Sequence, residues 1–398
     1  MHDRGAFYTG KYRNLFLEAG YSQIEVTEKI SRAFEQLFYG DRNSQTVYYP
    51  AGENDNGEMG YLSDVNSGDV RSEGMSYGMM ICVQLDKKKE FDALWNWAKT
   101  YMYHSNPAHP AYGYFAWSLS TEGRHKDQMP APDGEEYFAM ALYFAANRWG
   151  NGEGIYNYKA QADRLVSDMK DRNIITGQVG EQIQSAGNIF SLEYKMIRFT
   201  PDIANSEHTD PSYHLPAFYE LWALWGPEKD SDFWKEAAKV SRDFFFISAN
   251  PKTGLTPDYA NFDGTPWVCP WNPNAANFQY DAWRTVMNWS VDWAWWEKDE
   301  RQRELSDRLQ AFFESRGISD YGATFTLDGV PIGGDHSQGL VAMNATASLA
   351  ATNERAHRFV RELWNASIPD GQYRYYDGML YLMALLHCSG DFKIWKPE

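Results

Sequence analysis

The chain has 398 residues, and 37 Lys+Arg against 54 Asp+Glu leave a formal charge of −17. That field disfavours nucleic acid and anionic lipid as partners, because both need clustered cations. Hydrophobic residues at 43%, aromatics at 16% and no apolar run near eighteen residues exclude a disordered chain and a membrane-spanning helix. Apolar periodicity bounded by stop signals then predicts twelve helices, over 22–39, 74–86, 88–103, 135–149, 158–171, 211–225, 230–247, 280–297, 300–315, 336–351, 353–365 and 375–389. One strand pair is predicted, Ala323–Leu327 with the residues after Asp328-Gly329.

The connections alternate. Short turns such as Asp86-Lys87 and Gly226-Pro227-Glu228 join helices two and three, four and five, six and seven, eight and nine, and ten and eleven. Long loops, over 40–72, 104–133, 172–210, 248–279 and 317–335, precede helices two, four, six, eight and ten. Long loops in a compact domain usually carry function. Six antiparallel helix pairs predict an all-α (α/α)6 barrel with a few short strands in its loops. Such a ring brings the N-termini of the inner helices, and those loops, to one face. An α-solenoid is the alternative, but no fixed-period repeat supports it. No linker divides the chain, so residues 1–398 read as one domain.

Three cysteines, Cys82, Cys269 and Cys388, form neither a disulfide framework nor a zinc cluster. The N-terminus lacks a basic segment followed by an apolar one. A cytoplasmic monomer with no metal and no cofactor is the expectation.

The predicted face collects ionisable residues. Helix two opens at Glu73 among Gly74, Met75, Met79 and Met80. Burial there would raise a carboxyl's pKa, as a general acid needs, while the helix N-terminus would lower it. A capping glutamate is the plain alternative. Helix four opens with Asp133 as a candidate N-cap and Glu136 three residues on, a capping-box spacing. Asp210 and Pro211 open helix six and put the Tyr213 hydroxyl on the face. Asp281 and Arg284 stand three apart at the start of helix eight, so the arginine holds the carboxylate ionised, as a general base requires. His336 opens helix ten, and Tyr375 lies at the start of helix twelve. Trp117, Trp267, Trp271, Tyr112 and Tyr114 come from the long loops. Nucleophile-elbow, phosphate-loop, HExxH and dinucleotide motifs are all lacking. Paired carboxylates with aromatic platforms point to glycoside hydrolysis.

Three segments resemble glycoside hydrolase family 8. Ser72-Glu73-Gly74-Met75-Ser76-Tyr77-Gly78-Met79 is similar to the stretch carrying that family's general acid. Ala131-Pro132-Asp133-Gly134-Glu135 is similar to its Ala-Thr-Asp-Ala/Gly-Asp signature, with Pro132 and Glu135 as departures. Tyr280-Asp281-Ala282-Trp283-Arg284 is similar to the stretch with its general base. The resemblance implies an inverting enzyme on an (α/α)6 barrel. Glu73 would be the acid and Asp281 the base. Tyr213 would hold the water, and Asp133 would bind the distorted sugar. Arg284, His336, Trp117 and Tyr375 would complete the substrate site. Gly5–Thr9, Asp210–Pro216 and Phe392–Trp395 resemble members that release xylose from the reducing end of β-1,4-xylo-oligosaccharides. His336 resembles part of those members' blocking loop, but both its flanks differ from their Leu-His-Pro. An endo-acting xylanase or β-glucanase of the same family is the alternative, and a non-catalytic sugar-binding protein or an epimerase on the same barrel are remoter ones.

Overall fold

All twelve predicted helices are present in a computed structural model of the chain, which describes residues 4–397. We number them α1 (Gln23–Tyr39), α2 (Ser72–Gln84), α3 (Lys88–Trp97), α4 (Pro132–Trp149), α5 (Tyr158–Lys170) and α6 (Pro216–Trp225). The series continues with α7 (Ser231–Ser248), α8 (Thr285–Trp296), α9 (Arg301–Ser315), α10 (Gln338–Thr346), α11 (Ala356–Asn365) and α12 (Arg374–Ser389). Two single-turn helices, Ala6–Thr9 and Leu15–Glu18, precede α1.

Most odd-numbered helices bury one stripe, whereas α3 is buried all round from Ala93 to Trp97. In α1 that stripe is Val26, Ile30, Ala33, Phe34, Leu37 and Phe38, and a Ser22/Glu25 capping box fixes its start. Even-numbered helices are buried on nearly all sides, as α2 and α12 show. They pack on one another in the order α2 with α4, α6 with α8, α8 with α10, α10 with α12, and α12 back onto α2. Tyr137 against Phe218, and the Tyr219 hydroxyl donating to Glu136 at 2.5 Å, join α4 to α6. Close approach between α2 and α12 depends on Gly74, where a methyl group would overlap the Tyr375 hydroxyl. One continuous buried cluster takes residues from Ala6 to Ile394.

Several helix starts differ from expectation. Pro216 cannot continue a helix from Leu215, which takes an extended φ of −129°. The predicted 211–225 helix therefore splits into a 3-10 turn, Pro211–Tyr213, and α6. Asp133 is not an N-cap: α4 begins one residue earlier, at Pro132, and no capping box forms. Its partner Glu136 is drawn inward to Tyr219 instead.

Strands were largely illegible in the sequence. An antiparallel sheet runs in the order β1 (Tyr48–Asn54), β2 (Gly57–Asp64), β3 (Asp69–Arg71), β4 (Ser118–Leu119) and β5 (His125–Asp127). Three of these strands have only two or three residues, too few for an alternating pattern. The sheet matters for the site because β3 runs straight into α2, and the Ser72 amide donates to the Trp117 carbonyl at 3.0 Å. It fixes Glu73 and Trp117 side by side. A hairpin of β6 (Ile175–Val179) and β7 (Gln182–Ala186) lies in the third long loop, and β8 (Phe190–Ser191) pairs with β9 (Met196–Ile197). The predicted pair near 325 is β10 (Thr324–Phe325) with β11 (Pro331–Gly333).

Candidate active site

The starts of α2, α4 and α8 meet at one guanidinium. Arg284 is 1% exposed and lies in a 3-10 turn, Ala282–Arg284, that leads into α8. Its Nη1 donates to Asp133 Oδ2 at 2.6 Å and to the Tyr77 hydroxyl at 3.2 Å, and stands 3.5 Å from Glu73 Oε2. Its Nη2 donates to Asp281 Oδ1 at 2.9 Å. A planar fork suits this task, because different nitrogens can hold different carboxylates in fixed directions. Glu73 and Asp281 are therefore reached by opposite arms of the group. Asp281 keeps about a third of its side chain exposed, whereas Asp133 is buried.

Electrostatics at the hub follow from burial. Desolvation pushes the Asp133 carboxyl up to about 7, against the pull of Arg284, with the Glu73 charge adding to the rise. Burial raises the Tyr213 phenol well above its usual value, so it remains a neutral hydroxyl. The Tyr213 turn is capped by Asp210, whose Oδ1 accepts from the Ser212 amide at 2.7 Å. The Arg284 guanidinium lies 5.9 Å from the Tyr213 ring centre.

Two cavities flank the hub and share Arg71, Glu73 and Asp281 in their walls. One, of about 610 Å³, is walled by Asp133, Tyr213, Arg284, Trp117, Trp271 and Tyr259, with Gln184 from β7. The other, of about 630 Å³, is walled by Tyr280, Trp283, Tyr373, Tyr376 and His336. Together they make a cleft with two carboxylates at its midpoint and aromatic rings along both arms. Among the described residues, no group of three or more His, Cys, Asp or Glu side chains could hold a metal ion.

Seven of the eight singled-out site residues, Glu73, Asp133, Tyr213, Asp281, Arg284, His336 and Trp117, line this cleft. Tyr375 does not, and its expected contact with substrate is corrected. It is buried behind Glu73, and its hydroxyl donates to Glu73 Oε1 at 3.0 Å. Three loop aromatics also lie off the cleft walls. Tyr114 is buried and donates to the Asp168 carbonyl, Tyr112 accepts from Arg164 near the surface, and Trp267 stacks on His208. Sequence reasoning missed Tyr77, Tyr259 and Tyr376. Tyr77 stands four residues after Glu73, one helical turn on, which is the signal that would have found it.

A cleft crossing two carboxylates and lined by aromatic rings is the site of a carbohydrate-active hydrolase. The chain belongs to the family described as Glycosyl hydrolases family 8, whose model matches residues 54–390. It is 43% identical over 394 residues to the reducing-end xylose-releasing exo-oligoxylanase Rex8A of Paenibacillus barcinonensis, covering 98% of this chain and 99% of that one. It is 44% identical to a reducing end xylose-releasing exo-oligoxylanase of Halalkalibacterium halodurans, covering 99% and 97%. Among solved structures, it resembles a family 8 xylanase of Teredinibacter turnerae, a catalytic mutant in complex with xylohexaose. That similarity has a TM-score of 0.97 and 59% identity, covering 99% of this chain and 100% of the other.

Proposed function

We propose that this glycoside hydrolase cleaves β-1,4-xylo-oligosaccharides with inversion and releases xylose from their reducing end. The observation that carries the reaction is the single guanidinium of Arg284 spanning Glu73, Asp133 and Asp281 where the two arms of the cleft meet. The Rex8A-like relatives support the substrate and the end that is cut.

In this reading, Glu73 gives its proton to the glycosidic oxygen as the C1–O bond breaks. A water attacks C1 from the opposite ring face and yields its proton to Asp281. An inverting pair leaves roughly 6.5–9.5 Å for that water, and the separate arms of Arg284 are consistent with such a gap. Tyr213, a neutral hydroxyl, orients the water. Asp133 holds the sugar at the cleavage point, and Trp117 offers its face to a sugar ring. The six even-numbered helices are the inner ring of an (α/α)6 barrel, and the chain acts as one catalytic domain and as a monomer. A cytoplasmic place of action belongs to the same proposal, supported by three buried, unpaired cysteines. No described helix is long and apolar enough to cross a membrane.

The test is a product time course on xylotriose, xylotriose reduced to its alditol, and polymeric xylan, followed by NMR. Inversion makes the new reducing end appear first as the α-anomer. Reducing-end action leaves the alditol intact and xylan viscous. Early β-product sinks the mechanism.

One observation favours a second reading, internal cleavage. The arm beyond the leaving group is as large as the other and lies within the roughly 300–1,000 Å³ of drug-sized ligand sites, more than one pentose fills. Its Tyr280 and Tyr373 are 53% and 67% exposed. His336 is packed edge-on against Tyr321, with Nδ1 2.9 Å from the Tyr321 carbonyl. The Teredinibacter xylanase is in line with this reading. A rapid fall in xylan viscosity would decide for it.

A further inference from the structure

Asp281 occupies the N-cap position of the turn that leads into α8, yet its side chain caps nothing. Its backbone is helical, at φ −69° and ψ −44°, and the Trp283 and Arg284 amides that a capping carboxylate would take donate to the Gln279 and Asp281 carbonyls, each at 3.1 Å. Here the carboxylate is turned away to Arg284 and the cleft. The amide at the start of the turn is satisfied from elsewhere: Ala282 N–H donates to Asp258 Oδ1 at 3.0 Å. The other oxygen of the same carboxylate, Oδ2, accepts from Gln279 Nε2 at 3.3 Å. One buried side chain thus grips the chain on both sides of Asp281, two residues before it and one after.

Asp258 is 3% exposed and is not part of either cavity wall, so it is out of reach of a sugar. Its own place is fixed. The Asp258 amide donates to the Asn277 carbonyl at 3.0 Å, and Thr209 and Ala260 exchange backbone hydrogen bonds at 2.9 Å in both directions. That bridge ties the Asp258 loop to Asp210, which caps the Tyr213 turn. The charged groups facing Asp258 are Asp281, Arg284 and the Asp210 carboxyl. Burial and the Asp281 charge raise the Asp258 carboxyl, and the Ala282 amide opposes them. A carboxyl placed there purely for packing would be poorly chosen, since burying it costs stability unless its hydrogen bonds serve a purpose.

We propose that Asp258 is a positioning residue for the reaction. By holding Gln279 and the Ala282 amide, it fixes the turn so that the Asp281 carboxylate faces the water, and aims it. The proposal rests on the assignment of Asp281 as the base.

The test is a double-mutant cycle with xylohexaose as substrate. Asp258→Asn offers one acceptor oxygen where two are used. It should lower kcat by about tenfold or more in the native background, with KM within about twofold. In an Asp281→Asn background, the same change should alter kcat by less than about twofold, because residues that act through one another are not additive. An equal loss in both backgrounds, or no loss in the native one, overturns the proposal. Near-native activity of Asp281→Asn alone overturns the base assignment instead, so the two failures are distinct. Should Asp258→Asn not fold, Gln279→Leu removes the other half of the grip. It should lower kcat by about threefold with the same dependence on background, and an unchanged kcat there counts against the proposal.

Discussion

The Tyr375 hydroxyl donates to Glu73 Oε1 at 3.0 Å from the first turn of α12, across a close approach between two buried helices. The tyrosine is itself buried and turned away from the cleft walls. The proposed role is to orient the carboxyl, with the sugar left to other residues. Tyr375→Phe should therefore lower kcat on xylo-oligosaccharides by about tenfold, the scale of losing one hydrogen bond to a charged or ionisable group. Gly74→Ala should do the same by displacing the ring. Unchanged kcat in both variants would show that the contact does not orient Glu73.

Glu73→Gln and Asp281→Asn each remove one of the proposed proton-transfer groups. Each should lose at least about 10²-fold in kcat, the usual scale of general acid–base catalysis. Near-normal turnover in either would falsify the assignment of that residue.

Arg284→Met leaves Asp133 buried without its 2.6 Å partner. Removing one member of a buried charge cluster typically costs roughly 3–5 kcal/mol. The midpoint of thermal unfolding should fall accordingly, and activity should be lost. Arg284→Lys keeps the charge but not the fork, so it should retain more stability than activity. Equal retention of both would argue against a bidentate role.

Glu135, where the family signature has an aspartate, is fully buried. Its Oε1 accepts from the Phe115 amide at 2.9 Å, and burial raises its pKa to about 8. A carboxyl raised on folding holds its proton in the native state. Its contribution is fully present below the unfolded value near 4.5 and is lost as pH rises through about 8. Glu135→Gln mimics the protonated form and should flatten the decline of stability between pH 5 and 8, by at most about 1.4 kcal/mol per pH unit. Denaturation curves at pH 5 and pH 8 check this. A mutant with the same pH slope as the parent would sink the idea.

How much of this was legible beforehand depended on the range of the interactions involved. Helix positions follow from a local period and local stop signals, and all twelve helices are found. Helix starts are harder to read: Pro216 separates a 3-10 turn from α6, and Asp133, spaced as an N-cap, lies inside α4, which begins at Pro132. The five-stranded sheet is not legible in the sequence because three of its strands have only two or three residues, while β1 contains Pro50 and Gly52, which read as turn signals, and β2 buries its residues without alternation.

The sequence by itself determined the residue types of the proposed reaction: a carboxyl at 73, another at 281, and an arginine three residues after the second. Those are properties of local spacing and motif. Only the tertiary structure decided what each residue faces. Arg284 reaches Asp133 and Glu73 from a turn 151 positions beyond Asp133, and Asp258 grips the Asp281 turn from a separate loop. Tyr375 stands behind the carboxyl, and His336 rests against Tyr321. These contacts join residues distant in the chain, and packing alone sets which side of a helix meets which loop. No pattern within one segment carries that information.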